Sequence, residues 1–165
     1  MIFEAIAIAA VLKTGVHGGY TKMQELTQIC FYVEDGADLV TYYVTDEDIE
    51  LMRRCVMSEA GGECYEAQEA VATTILNRVF CPDKFGNSIE AVITAPGQFS
   101  CHDNGEPTVS VMMAVHNALQ YYGGPCQMLP SQVYYFRSNY YHEFALDYAK
   151  FGNLYFSVPK DACVD

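Results

Sequence analysis

The sequence predicts an α+β domain that is mainly helical, with a small antiparallel sheet. Three observations carry the prediction. Apolar residues recur at helical spacing through residues 45–122, and β-branched and aromatic runs lie apart from them on either side. No repeat, low-complexity tract or linker interrupts the 165 residues. One domain of that length buries an ordinary core without disulfide staples. Residues 1–44 read as an amino-terminal helix and hairpin extension, and residues 45–158 as the core that carries the candidate chemistry.

In chain order, residues 2–13 are apolar apart from Glu4 and suit a helix docked on the domain, stopped by Gly15 and Gly18-Gly19. The run is shorter than the ~20 residues of a membrane span. It also lacks the Lys or Arg that opens a secretory signal, so an uncleaved export signal is the alternative. Ile29 to Val33 and Leu39 to Val44 flank Asp35-Gly36 as the strands of a hairpin would.

Thr45 followed by Asp46, Glu47 and Asp48 opens a helix. The hydroxyl caps free N–H groups, Asp48 reaches back to the cap, and the acids complement the helix dipole. Ile49, Met52, Cys55, Val56 and Ala60 share one face, and Gly61-Gly62 is expected to supply a left-handed stop. A second helix from Tyr65 to Phe80 carries small Ala and Thr residues that permit close packing, and Pro82 ends it. A short helix from Ile89 to Thr94 breaks at Pro96-Gly97, residues 101–106 form a loop, and Pro107 opens a helix from Thr108 to Tyr122. Val133 to Phe136 reads as a strand, Tyr141 to Phe151 as a helix, and Leu154 to Val158 as a closing strand.

Acidic residues number 21 against 9 basic ones, a net charge of −12. Such a chain repels nucleic acid and anionic lipid, so neither nucleic-acid binding nor stable membrane insertion is expected. The seven cysteines are odd in number and form no CxxC pair. That pattern suits buried, reduced thiols, with a disulfide framework as the alternative.

Chemistry is expected at Glu59-Ala60-Gly61-Gly62-Glu63, where one helix stops and the next begins. The carbonyls of a last helical turn place partial negative charge at Glu59, and Glu63, Glu66 and Glu69 follow nearby. A carboxyl group that keeps its proton is what glycosidic cleavage requires, because the leaving oxygen must receive one. The same residues also suit a solvated side chain at a helix end.

Three motifs in order widen the view: Glu59 to Glu63, Val71-Ala72 leading to Ile75-Leu76-Asn77-Arg78-Val79, and Val92-Ile93 followed by Gln98-Phe99-Ser100. Weaker likeness continues through Tyr135-Phe136 to Gly152-Asn153 and Tyr155-Phe156. Over residues 47–158 the chain resembles the SleB-type cell-wall hydrolases, a family of spore-cortex-lytic enzymes and related phage and bacterial lysins.

The resemblance implies a lysozyme/transglycosylase-like fold that cleaves the MurNAc-GlcNAc bond of peptidoglycan as a lytic transglycosylase or muramidase. It implies Glu59 as general acid acting on the glycan strand; no cofactor and no metal are expected, and the chain is expected to be a monomer. In a transglycosylase one Glu serves both steps, whereas a hydrolase needs a second carboxylate, for which Glu63 and Asp103 are the candidates. Gln98 and Ser100, after the Pro-Gly turn, are expected to hydrogen-bond sugar groups. Glu63, Asn77, Tyr134 and Asn139 are further candidates for contact with the substrate, while Phe99 is expected to pack and Arg78 to pair with an acidic side chain.

Gly61 stands where the family often has Arg, and neither a wall-binding domain nor a convincing export signal is evident. With the acidic charge, these features suggest a phage-type lysin held in the cytoplasm until a pore releases it, with secretion as the alternative. Other readings remain. A zinc amidase would attack the same polymer, but His17, His102, His116 and His142 show no HExxH spacing. A Cys–His hydrolase lacks a local signature, and a non-catalytic wall-binding domain would need only the groove.

Overall fold

The structure is a computed structural model that describes residues 11–12, 25–32, 39–100 and 105–161. The elements are β1 (Val11–Leu12), β2 (Glu25–Tyr32), β3 (Leu39–Val44), α1 (Asp46–Ala60), α2 (Tyr65–Val79) and α3 (Pro82–Phe85). They continue with α4 (Ile89–Thr94), α5 (Val109–Tyr121), β4 (Tyr135–Ser138), β5 (Ala145–Phe151) and β6 (Leu154–Pro159). The outcome is the expected α+β domain, mainly helical beside a small antiparallel sheet.

α2 lies at the centre. Every residue from Ala67 to Val79 is buried, including the polar Gln68, Glu69, Thr73, Thr74, Asn77 and Arg78. A helix covered on all faces belongs inside a bundle, and α1, α4 and α5 pack around this one. Its polar groups find partners within the protein. Thr73 and Thr74 donate to the carbonyls of Glu69 and Ala70. Asn77 donates to Pro130 O at 2.8 Å and Val133 O at 3.0 Å, and accepts the Tyr122 hydroxyl at 3.0 Å. The chain entering the sheet is thereby tied to the core, since a buried polar group left alone costs about 1–3 kcal/mol.

α1 begins as the sequence predicts. Asp48 N–H donates to Thr45 Oγ1 at 3.1 Å, and Thr45 N–H donates to Asp48 Oδ2 at 3.0 Å. Its end differs from expectation. Gly61 stays right-handed at φ −59°, ψ −28°, and Gly62 is not among the glycines of positive φ. A Cβ at Gly61 would run into the carbonyl oxygen and the sulfur of Met57. Close approach, not a left-handed turn, demands glycine here, and no longer side chain fits this backbone.

β1, β2 and β3 form one antiparallel sheet; β4, β6 and β5 form a second in that order. The first sheet corrects the helix expected at residues 2–13: Val11 and Leu12 pair with Leu26 and Glu25, and the rest of that run lies outside the described residues. A short run with no polar phase does not tell helix from strand. The hairpin reading holds, with Tyr32 opposite Leu39, although the Asp35-Gly36 turn lies outside the described residues. Tyr42 of β3 anchors this sheet on the core, its ring edge-on to Phe80 and its hydroxyl accepting Ile89 N–H at 3.1 Å.

The second sheet corrects the helix expected from Tyr141 to Phe151. Ala145–Phe151 is a strand, folded back onto β6 through a Gly152-Asn153 turn with Phe151 opposite Leu154. Gly152 takes φ +57°, as a two-residue hairpin turn requires. β4 starts at Tyr135, two residues later than the predicted strand. No helix among the described residues is long and apolar enough to cross a membrane.

One buried acid makes stability depend on pH. Burial pushes the Glu69 carboxyl up from 4.5, partly countered by its hydrogen bond with Tyr65. The folded chain therefore holds this proton to higher pH than the unfolded chain does. Stability from this group is present in acid and lost as pH rises from about 4.5 toward neutrality. Glu69→Gln, which can still accept from Tyr65, is expected to gain in Tm relative to the parent as pH rises across that window. A difference that stays constant in thermal melts over the same range contradicts this.

Candidate active site

Glu59 lies in the last turn of α1 and is half-buried. Its Oε1 accepts the backbone N–H of Ser100, while the preceding Ser58 donates its hydroxyl to Ser100 O at 2.6 Å. Two consecutive α1 residues thus hold both peptide groups of Ser100. With Oε1 facing a donor, any proton that Glu59 carries sits on Oε2.

Arg78 stands behind this contact. It is 5% exposed, and its guanidinium lies between the rings of Phe99 at 4.6 Å and Phe85 at 5.2 Å. Nε donates to Tyr134 O at 2.9 Å, and Nη1 donates to Gln98 Oε1 at 3.1 Å. Burial lowers its pKa to about 10, opposed by the nearby Cys55, Tyr135 and Glu59, so it remains a cation at neutral pH. The expected acidic partner is replaced by carbonyl and amide oxygens. Because its Oε1 faces Arg78, the Gln98 amide is fixed in orientation.

Glu63 has another task. Its carboxylate accepts Asn153 N–H at 2.9 Å and the Asn153 amide at 3.2 Å, clasping the helix junction to the β5–β6 turn. Asn139, the non-glycine residue with positive φ among the described residues, donates its N–H to Asn153 O at 3.0 Å and extends the clasp to the end of β4. The Tyr134 ring packs on Phe85 at 5.4 Å, and burial, with help from Cys81, raises its phenol above the ordinary range. Phe99 packs between Arg78 and Phe136, as expected.

The structure therefore gathers Glu59, Arg78, Gln98, Ser100 and Tyr134, and joins Glu63 to Asn139 through Asn153. Asn77 does not reach this surface. It is buried, and its amide is spent on Pro130, Val133 and Tyr122. Asp103 and His102 lie outside the described residues. Sequence reasoning named Tyr135 and Asn153 only within the weaker likeness and gave neither a role; the Gly-Asn turn signal between two apolar runs points to the place of the latter. Among the described residues, no three His, Cys, Asp or Glu side chains gather as a metal site would need.

A family model described as Cell Wall Hydrolase matches residues 62–157, more than half of the chain. The chain belongs to the cell wall hydrolase family. The matched span takes in Glu63, Asn77, Arg78, Gln98, Ser100, Tyr134 and Asn139, and starts just after Glu59.

The chain is 42% identical over 62 residues to the spore cortex-lytic enzyme of Bacillus subtilis, covering 38% of this chain and 20% of that one. It is 39% identical over 79 residues to the spore cortex-lytic enzyme of Halalkalibacterium halodurans, covering 46% and 24%. Among solved structures, the catalytic domain of the germination-specific lytic transglycosylase SleB from Bacillus anthracis superposes with a TM-score of 0.57 at 27% identity. That match covers 69% of this cell wall hydrolase and 96% of the SleB domain. The Bacillus cereus SleB catalytic domain gives 0.55 at 28% identity, covering 67% and 88%.

The chain thus spans between 20% and 30% of the curated relatives' length, and nearly all of a SleB catalytic domain. The expectation of a phage-type lysin, waiting in the cytoplasm for a pore, is overturned by these relatives, which are spore cortex-lytic enzymes.

The clasp is testable through its glycine. At Gly152 a side chain would meet both a left-handed backbone and the Glu63 carboxylate. Gly152→Ala is expected to lower Tm by roughly 2–8 °C, from about 1–2 kcal/mol of strain in a domain this size. Because the collision is with the Glu63 carboxylate, Gly152→Ala is expected to lower Tm less in a Glu63→Ala background than in the parent. An unchanged melting curve for Gly152→Ala contradicts the geometry.

Proposed function

We propose that this cell wall hydrolase cleaves peptidoglycan glycan strands at the MurNAc-GlcNAc linkage, with Glu59 as general acid. The observation that carries the reading is the placement of Glu59. It sits at the end of α1, oriented through Oε1 by Ser100 N–H and facing the Gln98–Ser100 loop that Arg78 braces. The Oε2 proton passes to the bridging oxygen as the bond from it to the sugar C1 breaks. The resulting carboxylate then takes the proton from the C6 hydroxyl of the muramyl ring as that oxygen closes on C1. An anhydro end forms without water, and Glu59 regains its proton.

This route uses one carboxylate. Both Glu63 oxygens are engaged by Asn153, which supports the transglycosylase outcome over a hydrolase with Glu63 as the second acid. The likeness to SleB, described as a lytic transglycosylase, supports the same reading.

Glu59→Gln keeps the Ser100 contact and removes the acid. It is expected to slow turbidity loss of purified cortex or walls by about 10²–10⁴-fold, with circular dichroism unchanged. Full lysis by this variant would falsify the acid role. Mass spectrometry of fragments released by the parent protein is expected to show anhydro-muramyl ends; reducing ends only would indicate a hydrolase, and free stem peptides an amidase.

A further inference from the structure

Outside the Glu59 cluster, exposed aromatic surface concentrates in residues 139–144, which join β4 to β5. Tyr140 is 53% exposed and Phe144 60%. These rings are braced, not loose. The Arg137 guanidinium lies 3.6 Å over Tyr140 and donates to its hydroxyl. His142 Nε2 contacts Phe136 O at 3.3 Å, and its ring lies 4.7 Å from that of Phe144. Tyr135 meets Phe144 at a steep angle, 5.3 Å between centroids. The segment opens at Asn139 with φ +74°, a left-handed conformation that costs a non-glycine residue on the order of 1 kcal/mol. Strain and held exposure together mark a binding element more than a connector.

The patch is packed onto the candidate site through one further ring. Tyr135 contacts Phe85 at 6.3 Å, and Phe85 lies against the Arg78 guanidinium at 5.2 Å. We propose that Phe144, backed by Tyr135 and His142, is a platform for a sugar ring of the glycan strand, remote from the bond that is cleaved. This rests on the reading of the Glu59 site as a glycan-cleaving one.

A pyranose ring has an apolar C–H face that an aromatic ring covers, and a polar rim that neighbouring phenol, imidazole and guanidinium groups satisfy. Charge favours the same occupant. Arg137, Lys150 and Lys160 offset Glu143, Asp147 and Asp161 around this sheet, whereas the whole chain carries −12. A strand bearing carboxylates on its peptide stems meets less repulsion here than over the helices, and an anionic membrane is opposed by the overall charge.

The test is calorimetric titration of the full chain carrying Glu59→Gln, with a disaccharide and with long glycan strands. Phe144→Ala is expected to weaken binding of long strands by about 3- to 10-fold, the range of one aromatic contact. Disaccharide binding should be unchanged, and Phe144→Trp should restore strand affinity. Met113→Ala, which removes an exposed apolar side chain on α5 away from this patch, is expected to bind strands like the parent. Unaltered long-strand affinity in Phe144→Ala overturns the platform, as does an equal loss for the disaccharide. Binding to neutral phosphatidylcholine vesicles that Phe144→Ala abolishes, with strand affinity intact, would also overturn it and assign a lipid surface. Undiminished lysis by Glu59→Gln would remove the acid, yet leave a selective long-strand defect standing.

Discussion

The buried guanidinium of Arg78 is the group on which the site depends. A cation removed from water is expensive unless its donors are matched, and here they meet oxygens contributed by segments 20 and 56 residues away in sequence. The planar fork also fits between two aromatic rings, which a lysine ammonium on its flexible stem would not do. The central helix thereby fixes the Gln98–Ser100 loop from below, while Ser58 and Glu59 fix it from α1. Glu59 is oriented by a peptide group that is itself pinned on both sides. The site is rigid because the core beneath it is polar at chosen points and satisfied there.

The helices were legible because local chemistry and burial agree in them. Thr45 and Asp48 form the box that their spacing announces, and Ser88 and Thr108 cap α4 and α5. Where local pattern and tertiary pairing compete, the sequence misleads. Residues 145–151 hold apolar side chains that suit a helix, yet Gly152-Asn153 commits them to a hairpin. A turn signal of two residues outweighed a weak helical period because it folds the segment back onto β6, which pairs with it from Ala145 to Phe151 around a bulge at Asp147–Ala149. Gly61 is the converse: glycine at a helix end usually means a left-handed residue, but here Met57 leaves no room for a Cβ.

Within the candidate site, the residue types were readable and their division of labour was not. Glu59 and Glu63 belong to one motif, but only coordinates reveal that Asn153 occupies both oxygens of the second. Asn77 and Arg78 are adjacent in sequence and point to different tasks. One binds the strap at residues 130–133 inside the core, and the other braces the Gln98–Ser100 loop. No periodicity carries that distinction, since it depends on which segment the fold brings to each face of α2. Gln98 is intermediate: the turn before it suggested a polar contact, and Arg78 takes the oxygen end of its amide.

A net charge of −12 is compatible with the proposed anionic substrate once the charges are placed. Asp46, Glu47 and Asp48 crowd the first turn of α1, whereas Glu59 ends that helix. At 1.5 Å per residue the two ends are about 20 Å apart, roughly two Debye lengths at physiological salt. The densest acidic cluster therefore acts on the helix dipole next to it and hardly on a strand at the other end. Glu63, closer in, is engaged by Asn153, and Arg78 contributes a positive charge from beneath. For the proposed anionic strand, the relevant field is the one at the Glu59 end and over the β4–β6–β5 sheet, where Arg137, Lys150 and Lys160 stand against Glu143, Asp147 and Asp161. Net charge describes the chain as a whole; screening makes the site respond to its own neighbourhood.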